Sequence, residues 1–387
     1  MGPAPSQEIP EIPCQTAYAS IGNSPTGQVS FTPETSSTSK KKNYKPFPTP
    51  FSAIWSIKNS TSIEPDIRSN TCYSYWPEKD SLFIAYGVSS DDTYYNDGWL
   101  LNFQDMKWSQ IFPTLLSPRA GSRCILIDST LFIFGGHYNN QYFADLHSIN
   151  LNSGNLTLIS TTGTLPPPRT TCVFVGTHNS LIVWGGHNGS DSDLSSIYIL
   201  NLGTLVWSKV SCDEIGRESP SYSLSNSSIY ICGSAKNQGL MKISLDDYSL
   251  ESIVTTGNEP NYSIEDSSMV AVDRYLFTMG GNDIYDHTFL YAYDIERKWW
   301  FIFYLKPDEI TVNYEDGKLI DIGYFLLPND SSFAFVYRSS QRQLISCMGT
   351  SSKSSPLPIS VLSIGDALSI LHHRNDMFSM LHFDEHI

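Results

Sequence analysis

Two histidines, His137 and His187, each follow a pair of glycines, and two arginines, Arg119 and Arg169, each follow a proline. An imidazole at a glycine turn suits either a metal ion or a loop cap hydrogen-bonded to backbone. A guanidinium can clamp a carboxylate through two parallel hydrogen bonds, or tie a loop to its own sheet. Arg123 is a further cation of this kind, and Tyr94-Tyr95 and Tyr142-Phe143 add aromatic area, as binding anchors or as loop packing. The chain has no nucleophile elbow, P-loop, HExxH helix, EF-hand loop or GxGxxG turn in a fitting context. No catalytic group, metal or cofactor is therefore expected. Of the seven cysteines, Cys72, Cys124 and Cys172 recur about 50 residues apart inside apolar runs, without a CxxC pair. That spacing reads as buried thiols in equivalent strands.

The elements that must carry these groups repeat. Segments beginning at Ser117, Pro167 and Asn261 share one order: an apolar run, a short polar turn, and a second apolar run ending in Gly-Gly. A polar loop, an alternating aromatic or aliphatic run, a turn and a Trp-type strand follow. The diglycines begin at Gly135, Gly185 and Gly280, steps of 50 and 95 residues. Gly87 lies 48 residues before Gly135, and Gly233 lies 48 after Gly185. Tryptophans form a second ladder at Trp55, Trp108, Trp207 and Trp299, separated by 53, 99 and 92. The long steps are double periods, with Leu156 and Tyr248 near the vacant rungs. Two markers sharing one period of about 48 residues define a repeat array.

Composition sets the outer bounds. The 387 residues carry a net charge of −15, with 40% hydrophobic, 13% aromatic and only 16% charged residues. A coiled coil, a mostly disordered chain and a disulfide-dense module are excluded, and so is a broad phosphate-binding face for nucleic acid. No apolar run reaches the roughly 18 residues of a membrane span. The first 20 residues lack the basic and apolar regions of a secretory signal, so a cytoplasmic setting is expected. Residues 1–45 are rich in Pro, Ser, Thr and Gly and end in a lysine cluster, Lys40-Lys41-Lys42, which reads as a disordered arm.

A period near 50 with four short strands and Gly-Gly after the second resembles the kelch repeat. The resemblance implies an all-β, six-bladed β-propeller of four-stranded antiparallel blades spanning residues 46–350. Blades are placed at 67–117, 118–166, 167–216, 217–262 and 263–316, with a degenerate sixth, lacking a diglycine, on 324–348. Gly87, Gly135, Gly136, Gly185, Gly186, Gly233, Gly280 and Gly281 would let neighbouring backbones meet where a Cβ would clash. Trp55, Trp108, Trp207 and Trp299 would fill the wedges between blades. The segment 51–60 carries Trp55 and should supply the outer strand that closes the ring. Residues 351–387 form a C-terminal extension. From Asp366, with Leu368, Leu371, Phe378 and Leu381 on one face, it is a packed helical tail, a partner-binding helix or a continued strand pair.

In kelch substrate adaptors of ubiquitin ligases, the residue after the diglycine contacts bound peptide, and arginines near the first strand bind acidic peptides. On that resemblance His137, His187 and Asn282, with Tyr138, Asn188 and Asp283 beside them, become partner-binding residues, joined by Arg119 and Arg169. Equivalent loops of adjacent blades sit on the order of 10 Å apart, too far for His137 and His187 to share one ion at about 2.1 Å. The function so implied is a non-catalytic scaffold or adaptor that binds a protein through the loop face. The alternatives are a structural subunit using its sides and tail, or a metal-dependent propeller enzyme of the galactose-oxidase kind. The propeller is expected to be monomeric unless the C-terminal extension mediates assembly.

Overall fold

The second strand of each repeat is almost wholly apolar, as in LFIA, LFIF and LIVW, because it is covered on both faces by neighbouring sheets. Outer strands alternate instead; in Val206–Val210 only Trp207 is buried. These patterns stack into a β-propeller in the computed structural model, which describes residues 52–190, 194–234, 239–262, 264–282, 285–320, 323–351 and 358–373. The expected arm over 1–45 lies outside the described residues, as do Asp283, Phe378 and Leu381.

The first blade runs from Cys72–Trp76 through Ser81–Ala85 and Gly98–Asn102 to Lys107–Phe112, each strand antiparallel to the last. The second to fifth blades repeat this order, with inner strands Arg123–Ile127, Val173–Gly176, Ser221–Ser225 and Ser268–Val272. The closing blade is built from both ends of the chain. Ala334–Arg338 is innermost, then Gln343–Cys347, then Ile359–Ser363, and Ala53–Lys58 lies outside them. Trp55 thus pins the two chain ends together, in the place its sequence spacing assigned to it.

Two expectations are corrected. Seven sheets of three or more strands are present among the described residues, where six were expected. The seventh is three-stranded, from His287–Thr288, Lys318–Leu319 and Phe325–Pro328. It lacks the repeat's markers because its strands come from the long connections around the fifth blade, not from one unit. Consequently only the later part of 324–348 enters the closing blade. Secondly, Ile359–Ser363, assigned to the extension beyond residue 350, is the third strand of that blade. A helix follows over Gly365–His373, with Leu368 and Leu371 buried in the apolar cluster between the fifth and closing blades.

The core lies between the sheets. Phe134, Phe174, Leu181 and Trp207 join the second blade to the third, and Leu101, Trp108, Val336 and Ile345 join the first to the closing blade. Trp55 and Trp299 occupy the fifth-to-closing wedge. Leu156 does not fill a wedge; all three residues of its strand, Leu156–Leu158, are exposed. The glycines act at the same boundaries. Gly87 N–H donates to Arg119 O at 2.9 Å, Gly136 to Arg169 at 2.9 Å and Gly186 to Arg217 at 2.8 Å. Gly281 donates to Asp330 O at 2.8 Å, and Gly349 to Arg68 O at 3.0 Å, which returns the ring to its start. Gly349 therefore does in the closing blade what the missing diglycine was expected to do. Gly87 is thus the structural equivalent of Gly136, not of Gly135.

Candidate partner-binding face

The lead-ins to the inner strands of the first four blades each carry an arginine, and the structure turns these side chains inward. Arg119 donates from Nε to Ser117 O at 3.1 Å, and from Nη1 to Gly135 O at 3.1 Å and Asp145 Oδ1 at 2.6 Å. Its guanidinium lies 4.1 Å from the centre of the Phe143 ring. Arg169 repeats the pattern, to Pro167 O at 3.1 Å and Gly185 O at 3.0 Å, over the Tyr198 ring. They are 2% and 0% exposed, so neither presents a guanidinium to a partner. The two donors read as a clamp for acidic peptide are used up inside their own blades. Arg68, paired with Asp97, and Arg217, donating to Gly239 O at 2.8 Å, hold the same position. Sequence reasoning passed over these two, although the interval from Arg217 to Gly233 equals those from Arg119 to Gly135 and Arg169 to Gly185.

What remains on this face is aromatic. Tyr94 of the first blade meets His137 at 5.8 Å and Tyr138 at 5.0 Å between ring centres. Tyr142 stands between the histidines, 6.0 Å from His137 and 5.6 Å from His187. The row ends at Glu218 of the fourth blade's lead-in, whose Oε1 is 3.3 Å from His187 Nδ1. Tyr138 and His187 are about two-fifths exposed, at 42% and 41%. The short pairing of His137-Tyr138 with Gln141-Tyr142 lifts these rings above the second blade. His137 Nδ1 is 3.0 Å from Thr170 Oγ1, and burial, then the neighbouring charge of His187, holds its pKa below the ordinary value.

Asn188 is half-buried and folds onto its own turn, accepting from Ser190 N–H at 2.9 Å. Asn282 is exposed in the fifth blade but turns to Asp266, donating from Nδ2 to Oδ2 at 2.9 Å, and does not join the row. Asp283 lies outside the described residues. With the Tyr142 ring between the histidines, no group of three His, Cys, Asp or Glu side chains among the described residues is placed to hold a metal ion. Six cysteines are described, all free, and five of them are buried.

Inside the ring runs a channel of about 330 Å³, lined by all the inner strands, with Arg123 opening into it. Below the face, buried His147 shares a hydrogen bond between Nε2 and the Tyr86 hydroxyl at 3.0 Å, and its Nδ1 lies 3.8 Å from Asp145.

A family model described as the KLHDC2/KLHL20/DRC7 Kelch-repeats domain matches residues 40–234, just over half of the sequence. The chain belongs to this kelch-repeat family. Tip elongation aberrant protein 3 of Schizosaccharomyces pombe is 26% identical over 34% of this chain and 15% of its own length. Rho GTPase-activating protein gacHH of Dictyostelium discoideum is 35% identical over 27% of the chain and 7% of its own length. Acyl-CoA-binding domain-containing protein 5 of Arabidopsis thaliana is 26% identical over 40% of the chain and 27% of its own length. The chain thus spans about a quarter or less of these relatives. No helix among the described residues is long and apolar enough to cross a membrane.

Proposed function

We propose that this kelch propeller is a non-catalytic scaffold or adaptor that binds a protein partner on the loop face. The observation that carries this reading is the row Tyr94, Tyr138, His137, Tyr142 and His187, contributed by three consecutive blades and left partly exposed. Aromatic side chains are common anchors at protein interfaces, because they bury large area at small entropic cost. Stretches similar to this chain recur in relatives named for tip elongation, Rho GTPase activation and acyl-CoA binding. That fits a shared frame whose rim differs from protein to protein. The free, buried thiols support a reducing, cytoplasmic setting. Asn282, exposed in the fifth blade, is proposed as a further contact outside the aromatic row.

The test compares proteins captured from the native cell by the wild-type chain and by Tyr94→Ala/Tyr138→Ala. With both proteins folded to the same melting temperature, specific partners should be lost or weakened at least tenfold by the double variant. An unchanged partner set would defeat the reading. It would favour instead a structural subunit engaging through its sides, where Leu156 and Leu158 stand exposed on the second blade's outer strand.

A further inference from the structure

Each lead-in arginine donates to oxygens within the protein, although Arg217 keeps one buried Nε without a partner. Arg123 differs in having no carbonyl or carboxylate partner among the described residues. It opens the second blade's inner strand and points into the central channel. Its Nε is buried without a hydrogen-bond partner, and no carboxylate among the described residues lies within ion-pairing distance. Its strongest electrostatic neighbours are the phenols of Tyr222 and Tyr73 and the Cys172 thiol, followed by Asp266, which lines the same channel. Burial holds both phenols in the protonated form. Burial also raises the Asp266 carboxyl, whose Oδ2 is occupied by Asn282, so it is a weak counter-ion.

A second orphan lies at the entry to the neighbouring strand. Thr71 is 2% exposed, lines the same channel, and its hydroxyl has no partner. The two strands are tied one residue before it, where Gly121 N–H donates to Asn70 O at 2.8 Å. A half-buried cation answered only weakly and an orphaned buried hydroxyl on one cavity are costly unless water or a ligand occupies it. The channel's 330 Å³ is room for about ten waters or one small molecule.

We propose that the channel binds one small monovalent anion, a carboxylate or a halide, held by the Arg123 guanidinium and the Thr71 hydroxyl. The single Arg123 cation, answered only weakly by the Asp266 carboxyl that lines the same channel, sets the valence, and the channel's volume sets the size. The site stands apart from the aromatic row and does not depend on the partner reading.

The probes are sodium acetate and sodium chloride, each titrated into the intact chain in a zwitterionic buffer while the melting temperature is followed. Wild type should show a saturable rise of about 2–4 °C. Arg123→Gln should lack that rise and, without anion, melt no lower than wild type. Thr71→Val should shift the midpoint several-fold upward. A lower midpoint for acetate assigns the site to carboxylates, and one for chloride to halides. In crystals soaked in bromide, an anomalous peak should sit beside Arg123. Parallel responses in wild type and Arg123→Gln would overturn the proposal. Should Arg123→Gln not fold, an unchanged midpoint in Thr71→Val or a channel without bromide would do so.

Discussion

At the scale of single residues, a motif's chemistry depended on which way its side chain turned. The Pro-Arg pairs were visible in the sequence, and so was the choice between clamp and tie. Burial decides it: Arg119 sits against Phe143 and Asp145 inside its own blade. His147 is 0% exposed, and burial pushes its pKa down to about 4 from 6.5, against the favourable charge of Asp145. The folded protein resists protonating this ring while the unfolded chain accepts the proton. Its contribution to stability is therefore complete above pH 6.5 and is lost as pH falls from there towards 4. The loss by pH 4 is on the order of 3 kcal/mol. Urea denaturation at pH 7.5, 5.5 and 4.5 should show this fall in wild type, and a shallower one in His147→Gln. Parallel curves would place the acid sensitivity elsewhere.

At the scale of elements, the glycines after the second strand bind one sheet to the next. Gly136 has φ +99°, and a Cβ there would lie 2.4 Å from Ser122 Oγ and 3.0 Å from Ala120 O. Gly239 has a similar φ of +90° with nothing within 4 Å. Alanine at either position bears the left-handed strain of about 1 kcal/mol, and only at Gly136 does the clash add to it. Gly136→Ala should accordingly cost on the order of 2–4 kcal/mol, clearly more than Gly239→Ala. Equal losses in chemical denaturation would show that backbone conformation, not the close approach of the Ala120–Ser122 lead-in in the same blade, is what Gly136 serves. A further repeat at this scale is Thr161-Thr162-Gly163 and Thr255-Thr256-Gly257, 94 residues apart. Each adds a short parallel strand to the outer edge of the following blade, at Trp207 and at Trp299-Trp300. Leu305–Pro307 does the same beside Ala53–Lys58, so three outer edges are covered by the preceding connection.

For the molecule as a whole, closure joins residues from opposite ends of the chain: Trp55 pairs with Leu362, and Gly349 returns to Arg68. Truncation after Pro356 would remove Ile359–Ser363 and leave Ala53–Lys58 without its neighbour on the inner side. Such a chain should lose cooperative thermal unfolding and aggregate, because two strands' worth of unpaired backbone is exposed at once. Size-exclusion chromatography and circular dichroism measure this directly. A monomeric, cooperatively melting product would show the ring to be complete without that segment.

The repeat, its four-strand order and the boundary role of glycine and tryptophan were legible from sequence alone, because each arises from local alternation and a fixed period. Even the outer place of Ala53–Lys58 followed from Trp55. The seventh sheet and the third strand of the closing blade were not legible. Their partners are set by long-range pairing, and their residues carry no periodic mark. The fate of Arg119 and Arg169, the aromatic row from Tyr94 to His187 and the orphaned Arg123 likewise belong to tertiary structure. Which side of a sheet buries a cation, and which rings meet across blades, depends on how neighbouring wedges fit together.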